Sequence, residues 1–221
     1  MFSTAGATYG CRLKSRVLEA QLGDSERHRF WVGSASPREE NEIQLVEFNE
    51  EMQESVLCVQ VYSHPGEVTS LAPCPRDAST FVTSTTSGTA SLWRAPGATD
   101  VADIDSSASP APSTLELKAS VSGSSACSVL WQPTEATTER VATYRDALHV
   151  YDVGASTLAE VCVVPVEHGA DPSATSSSPP PITSAAWDPH QSAIIGCAYA
   201  SFCTPKIGSI RFTCYITHSP C

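Results

Sequence analysis

The chain has 221 residues, and its 24 acidic against 13 basic side chains give a net charge of −11 at neutral pH. This balance argues against nucleic acid and against an anionic membrane surface as partners, because both attract clustered lysine and arginine side chains. The length is sufficient for one or two domains with a buried core, and no apolar run is long enough to insert into a bilayer.

The nine cysteines do not indicate a disulfide framework. Their number is odd, and five of them lie in apolar, strand-like segments where a free cysteine behaves as a small apolar side chain. These five are Cys11, Cys58, Cys74, Cys127 and Cys162. The first twenty residues also lack the apolar core of a secretory signal. We therefore expect a reduced, cytoplasmic protein.

The first sixty residues contain four β-prone segments joined by short polar turns. Alternation of apolar and polar residues is strongest in the third segment, which reads EIQLVEF, and is typical of a half-buried strand. Four strands in succession predict one four-stranded blade near residues 9–62. The segments are 8–18, 27–34, 42–48 and 55–62.

The same organisation continues along the chain. A second blade is predicted near residues 64–121, a third near 126–165, and the first half of a fourth near 182–198. Residues 96–113 and 167–181 are rich in Ser, Ala, Pro and Asp, so we expect low-complexity, mobile inserts there. The last residues, 199–221, lack the repeat pattern and are predicted to be a divergent tail, of the kind that a frameshift, a retained intron or an alternative exon would produce.

Three of the predicted blades begin with similar octapeptides. They read VTSLAPCP, ACSVLWQP and ITSAAWDP and end at Pro75, Pro133 and Pro189, which lie 58 and 56 residues apart. WD-type blades repeat at about 40–45 residues, and subtracting either insert brings the spacing close to that value. The predicted fold is an all-β, incomplete WD40-type β-propeller over residues 1–198, with about three and a half blades.

Several side chains occupy positions that have a structural role in such repeats. In WD-type blades, an aspartate in a turn accepts hydrogen bonds from a network of histidine, serine or threonine, and tryptophan. The second blade has His64 and Trp93 but no such aspartate, whereas the third has Asp146, with Tyr151 in place of tryptophan. Ordinary turn polarity and packing would also account for these residues. Three more repeat positions are Trp131, Trp187 and Asp188.

No catalytic or cofactor motif stands out, so we expect a non-enzymatic protein without a cofactor. A zinc site is the alternative, because cysteine and histidine are frequent near the end of the chain. Their spacings lack the short ligand pairs of structural zinc sites, and we therefore expect no metal. The residues concerned are His190, Cys197, Cys203, Cys214, His218 and Cys221.

Ordered motifs over residues 9–198 resemble the EARP- and GARP-interacting WD-repeat proteins, also described as tumour-suppressing subtransferable candidate WD proteins. In that family the chain opens with Tyr-Gly, continues with Arg-Phe-x-Val-Gly and later has Ala-Val-Trp-Arg and Thr-Leu-Glu-Leu. The matching segments here are 9–10, 15–18, 29–34, 41–48, 64–68, 91–94, 114–117, 126–133 and 187–190.

The resemblance implies a propeller of seven blades, of which this chain supplies about half. It also implies a scaffold that binds subunits of vesicle-tethering complexes in endosomal recycling and in retrograde transport, peripherally at endosomes or the trans-Golgi network. A generic WD40 adaptor for a ubiquitin ligase or chromatin, an enzyme on a propeller-like frame, and a truncated non-functional gene product are the alternatives.

An open ring leaves the outer faces of its first and last blades uncovered, which favours self-association or chaperone binding. We expect one uncovered face to be lined by apolar side chains of the first blade, and the other to lie near Trp187 and Ile194. The first set comprises Phe30, Trp31, Val32, Ile43 and Leu45.

Overall fold

The computed structural model describes residues 8–49, 55–99, 110–122, 128–133, 138–165, 181–191, 193–201 and 209–216. This part of the chain forms sixteen strands and no helix. The strands are β1 Ser15–Ala20, β2 His28–Ser34, β3 Asn41–Asn49, β4 Ser55–His64, β5 Val68–Pro73, β6 Thr80–Thr85, β7 Ala90–Arg94, β8 Pro112–Thr114, β9 Glu116–Val121, β10 Ser128–Trp131, β11 Arg140–Tyr144, β12 Ala147–Gly154, β13 Thr157–Pro165, β14 Ile182–Trp187, β15 Ile194–Ser201 and β16 Ser209–Ile216.

The strands assemble into four sheets, which we number in chain order. The first has the order β1-β2-β3-β4-β8, the second β5-β6-β7-β9, the third β10-β11-β12-β13 and the fourth β14-β15-β16. All pairs are antiparallel except β4 with β8. Each sheet is thus an up-and-down blade, and the predicted all-β propeller, incomplete and unclosed, is confirmed.

The sheets pack face to face in sequence, with β1 against β5, β5 against β10 and β10 against β14. The first strand of each blade is therefore the innermost one. Three apolar cores lie between consecutive sheets. The first core contains Trp31 and Phe81, the second Val82 and Trp131, and the third Leu148 and Trp187.

One backbone hydrogen bond recurs in all four blades and establishes which positions correspond. The residue that follows the innermost strand donates its N–H to a carbonyl at the start of the second strand, at 2.9 Å in each case. The pairs are Gln21 with Arg29, Cys74 with Thr80, Gln132 with Arg140 and Asp188 with Ile194. The repetition inferred from the octapeptides is thus present in the backbone.

The joint between the first two sheets depends on close backbone approach. The side-chain amide of Gln21 donates from Nε2 to the carbonyl oxygen of Ala78 at 2.7 Å. A Cβ atom added to Gly23 would lie 2.2 Å from the Ala78 nitrogen. At Gly33, an added Cβ would lie 3.0 Å from a methyl group of Val68. Both glycines therefore allow the second sheet to pack tightly on the first.

The first insert differs from its prediction at both ends. Tyr62 donates its hydroxyl proton to the carbonyl of Pro96 at 2.8 Å, and Ala98 is buried in the first core. At the other end, β8 pairs in parallel with β4, and Gln60 donates to the Ser113 hydroxyl at 2.6 Å. The two ends of the insert therefore belong to the first sheet and its core, and the mobility of the insert stays a prediction. Residues 100–109 and most of the second insert lie outside the described residues.

Two further elements differ from expectation. The first strand begins at Ser15 rather than near residue 8, because the preceding segment crosses the face of the first sheet, where Tyr9 donates a hydrogen bond to Gln44. The fourth sheet also has a third strand: all of β16 pairs with β15 in antiparallel register. This strand comes from the segment predicted to be a divergent tail, and the domain boundary at residue 198 stays a prediction.

Candidate functional site

The residues weighed for the alternative zinc site form no metal site among the described residues, where no group of three or more His, Cys, Asp or Glu side chains could hold an ion. Cys197 is buried in the third apolar core, whereas His190 is exposed at a turn. The side chains of Cys203, Cys214, His218 and Cys221 lie outside the described part.

Two of the predicted repeat positions, His64 and Trp93, meet in the second sheet through Thr83. The Trp93 indole N–H donates to the Thr83 hydroxyl oxygen at 2.9 Å, and His64 Nε2 lies 3.1 Å from the same oxygen. The two rings pack edge to face with their centroids 5.4 Å apart. His64 ends β4 and Thr83 lies in β6, so this network also joins the first two blades.

The hydrogen bonds of this network all run in one direction, from the Trp93 indole to the Gly66 carbonyl. His64 Nδ1 lies 2.8 Å from the Gly66 carbonyl oxygen and donates a hydrogen bond to it. His64 Nε2 then accepts from Thr83, which in turn accepts from Trp93; this assignment of the tautomer follows from the hydrogen-bond pattern. The Gly66 carbonyl thereby takes the place of the missing aspartate. Burial lowers the pKa of His64, although the Gly66 hydrogen bond partly opposes the shift.

The equivalent positions of the third sheet do not form this network. In the second sheet Thr83 pairs with Ser91, which lies two residues before Trp93. In the third sheet Thr143 pairs with His149, which lies two residues before Tyr151, so the two threonines are equivalent. Tyr151 is buried like Trp93, but the buried Thr143 hydroxyl has no hydrogen-bond partner among the described residues. Asp146 is exposed in the β11–β12 turn, 4.0 Å from the guanidinium of its neighbour Arg145.

The remaining repeat positions have structural roles. Trp131 and Trp187 are the last residues of β10 and β14, and they fill the second and third cores respectively. Asp188 follows β14 and accepts hydrogen bonds from the backbone N–H groups of His190 and Gln191 at 2.7 and 3.0 Å. Its carboxylate therefore stabilises the turn that ends the innermost strand.

The outer face of the first sheet carries an apolar groove with a volume of about 600 Å³. Apart from Val17, which also belongs to the first core, its apolar side chains take no part in the three cores that the described residues form. Leu18 is 66% exposed there, whereas Val46 is buried at the groove floor. The groove is lined by Tyr9, Cys11, Ser15, Arg16, Val17, Leu18, Phe30, Val32, Val46, Phe48 and Val56.

The residues expected on this face are only partly those found there. Phe30 and Val32 line the groove, but Trp31, Ile43 and Leu45 are fully buried in the first core. The reason is strand alternation, which sends neighbouring side chains to opposite faces. At the other end of the molecule, Trp187 is buried against the third sheet rather than on an open face.

The segment before β1 forms one wall of the groove. Tyr9 donates its hydroxyl proton to Gln44 at 2.9 Å, and Arg12 lies 3.1 Å from the carboxylate of Glu42. Burial raises the pKa values of both Tyr9 and Cys58, and a hydrogen bond between the two side chains further raises that of Tyr9. Both side chains thus remain protonated at neutral pH.

Sequence analysis missed Thr83 and the groove residues Leu18, Val46 and Phe48. A signal for the groove was available, because β2 and β3, which read HRFWVGS and NEIQLVEFN, carry apolar residues on both faces. A strand that is apolar on both faces is typically covered on both sides. Thr83 gave no such signal, since threonine is common in strands.

Comparisons with known proteins give a consistent result. A family model described as the EIPR1 beta-propeller matches residues 3–204. The chain is 41% identical over 73 residues to the EARP-interacting protein homolog of Dictyostelium discoideum, covering 33% of this chain and 18% of that protein. It is 31% identical over 147 residues to the EARP-interacting protein homolog of Danio rerio, covering 60% and 37%.

A third relative is the EARP and GARP complex-interacting protein 1 of Rattus norvegicus, 28% identical over 60% of this chain and 37% of that protein. The matched regions thus span well under half of these relatives. Among solved structures, the Cps50 (Swd1) beta-propeller domain of Myceliophteria thermophila superposes with a TM-score of 0.55 at 11% identity, over 86% of this chain and 50% of that one. That similarity shows the fold alone. The described residues include no helix that could cross a membrane.

Proposed function

Since the chain belongs to the EIPR1 beta-propeller family, we propose that it is a non-catalytic scaffold that binds vesicle-tethering complexes of the EARP and GARP type. The observation that carries this proposal is the family match over residues 3–204. Relatives from an amoeba, a fish and a rat are named for the same interaction. The fold supports a binding role, because a propeller presents loops and strand edges around rigid sheets.

The proposal also covers the protein's cellular location and the transport steps in which it takes part. We expect the protein in the cytoplasm, bound peripherally to endosomes or the trans-Golgi network through its tethering partners, in endosomal recycling and retrograde transport. The net charge of −11 supports recruitment by protein partners rather than by anionic lipid. No cofactor or metal is part of this function.

Co-purification tests the proposal. The tagged full chain is expressed in cells, and its bound proteins are identified and then reconstituted with purified tethering-complex subunits. We expect stoichiometric recovery of those subunits. Ubiquitin-ligase or histone partners would instead indicate a generic WD40 adaptor, and recovery of chaperones alone would indicate a non-functional product.

A further inference from the structure

The outermost strands of the first three sheets differ in how their outer edges are protected. In the first sheet β8 covers part of β4, and in the second β9 is a six-residue strand in which Glu116 and Lys118 form a salt bridge. In the third sheet β13 is nine residues long and has no strand on its outer side among the described residues. Such an edge presents backbone N–H and C=O groups that a further strand can pair.

The exposure of β13 is that of an outer edge, because the third sheet packs between the second and the fourth and both its faces have neighbours. Cys162 and Val164 pack against the third core, so strand alternation turns Val163 towards the second sheet. Val163 is nevertheless 44% exposed, and Val161, which lies at a β-bulge, is 36% exposed. Both valines therefore leave apolar surface open along this edge.

One carboxylate lies on the same strand. Glu160 has a side chain that is 48% accessible, and its Oε2 atom lies 3.0 Å from His149 Nδ1. Asp146 and Asp152 in the same blade each lie within 4.0 Å of an arginine, whereas Glu160 has no arginine or lysine partner among the described residues. The edge of β13 thus carries an accessible negative charge between apolar side chains.

These features together specify the kind of partner. We propose that the outer edge of β13 binds a short extended segment of a partner protein as a further strand, with β-branched side chains beside Val163 and a lysine or arginine facing Glu160. In this mode of recognition the backbone hydrogen bonds supply affinity and the alternate side chains supply specificity. The net charge of −11 also attracts a basic segment at long range. The inference gives the proposed scaffold a docking site and rests on that function only for the identity of the partner.

The first sheet already contains an added strand of this kind. There β8 pairs with the outer strand β4 over three residues, and Gln60 on β4 donates to the Ser113 hydroxyl on β8 at 2.6 Å. A blade of this fold therefore accepts a fifth strand at its outer edge. Because the bulge at Val161 interrupts the edge of β13, the expected segment is short, about five residues long.

Two other occupants fit the edge less well. A second copy of this chain has the same net charge of −11 and the same carboxylate on β13, so the two molecules repel one another. The residues that follow β13 in sequence include prolines at positions 172 and 179–181. Proline has no N–H to donate to a neighbouring strand, so this sequence is a poor match for the edge.

The test uses the full chain and three labelled peptides. The first alternates Val or Ile with Lys, the second has Glu in place of each Lys, and the third has the first sequence with N-methyl groups in place of its backbone amide hydrogens. Fluorescence anisotropy should show the first peptide binding about tenfold more tightly than either of the others. Binding of the first peptide should slow amide hydrogen exchange in β13 but not in β4 or β9.

Two glutamates provide a matched pair of variants. Glu160 on β13 and Glu116 on β9 both have side chains that are 48% accessible. Glu160→Lys should weaken binding of the basic peptide about tenfold and favour the acidic peptide. Glu116→Lys makes the same change in net charge and should leave the preference unchanged. Because both side chains are accessible, neither substitution should unfold the protein, and equal melting temperatures would verify this.

The proposal is overturned if the N-methylated peptide binds as tightly as the first peptide, or if the two glutamate variants behave alike. It is also overturned if exchange slows in another strand instead of β13, or if the chain alone forms a dimer in which β13 is already protected. The proposed function fails separately. If the wild-type chain captures no tethering subunits but binds the basic peptide at β13, the edge assignment stands alone; if Glu160→Lys captures subunits as well as Glu116→Lys does, only the edge assignment is wrong.

Discussion

The second and third sheets have the same backbone register but stabilise it by different side-chain chemistry. In the second sheet, Thr83 connects the Trp93 indole to His64 within a chain of hydrogen bonds. In the third, Thr143 occupies the equivalent position, but its hydroxyl has no hydrogen-bond partner among the described residues. Thr143 pairs with His149, and Tyr151 follows two residues later in the same strand. A repeat can therefore keep its packing while losing its polar network, because burial of the aromatic ring depends on the register and not on the network.

The largest loss of stability is expected for Trp93, because its ring fills the core and its N–H belongs to the hydrogen-bond network. Trp93→Ala removes a buried indole and leaves the Thr83 hydroxyl oxygen without its donor, so the free energy of unfolding should fall by about 3–5 kcal/mol. Trp93→Phe, which retains a ring, should cost less. Chemical denaturation of both variants measures the difference. Equal losses would contradict a role for the ring itself in the core.

Loss of the network alone should have a smaller but clear effect. Thr83→Val preserves shape but leaves the Trp93 N–H and His64 Nε2 unsatisfied in a buried site. We expect the free energy of unfolding to fall by about 1–3 kcal/mol. The measurement is again equilibrium denaturation, with the Trp93 fluorescence environment as a second probe. An unchanged stability would show that the network contributes nothing beyond packing.

The pH dependence should report on His64. Its folded pKa is lowered by burial from the ordinary value of 6.5, so the unfolded chain binds the proton more readily than the folded one. Stability from this residue is therefore complete above pH 6.5 and declines as the pH falls below it, by at most about 1.4 kcal/mol per pH unit.

His64→Gln provides the control, because the other five histidines remain. Melting temperatures of both proteins are compared between pH 7.5 and 5.0, conditions chosen to bracket the ordinary pKa of about 6.5. The wild type should lose more stability than the variant over this interval. Parallel curves would contradict the assignment of a neutral, buried His64.

The smallest effect is expected in the third sheet, with the opposite sign. Thr143→Val replaces a buried hydroxyl, which has no hydrogen-bond partner in the part of the chain that the structure describes, by a methyl group of similar shape. We expect the free energy of unfolding to rise by about 1 kcal/mol, since a desolvated hydroxyl without a partner is destabilising. Destabilisation comparable to that of Thr83→Val would show that Thr143 has a partner in the folded chain.

The candidate site was only partly accessible to sequence reasoning. His64 and Trp93 could be identified because they follow a repeat pattern, but Thr83 has no distinguishing neighbours in sequence. The groove residues could be recognised as apolar, yet their distribution between the two faces of β2 and β3 requires the strand register. A shift of one residue in the strand register exchanges the two faces of the strand. Composition alone therefore cannot decide whether Trp31 or Phe30 faces the core.

Local patterns in the sequence determined the strands, the period of the blades and the family, because alternation and turn residues act over a few neighbours. Tertiary structure alone decided three features: the parallel pairing of β8 with β4, the addition of β16 to the fourth sheet, and which apolar side chains of the first sheet lie on its outer face. Each depends on segments that are distant in sequence or on which neighbour covers a face. Such pairings are set by the balance of burial and chain entropy over the whole fold, and this balance leaves no local signal.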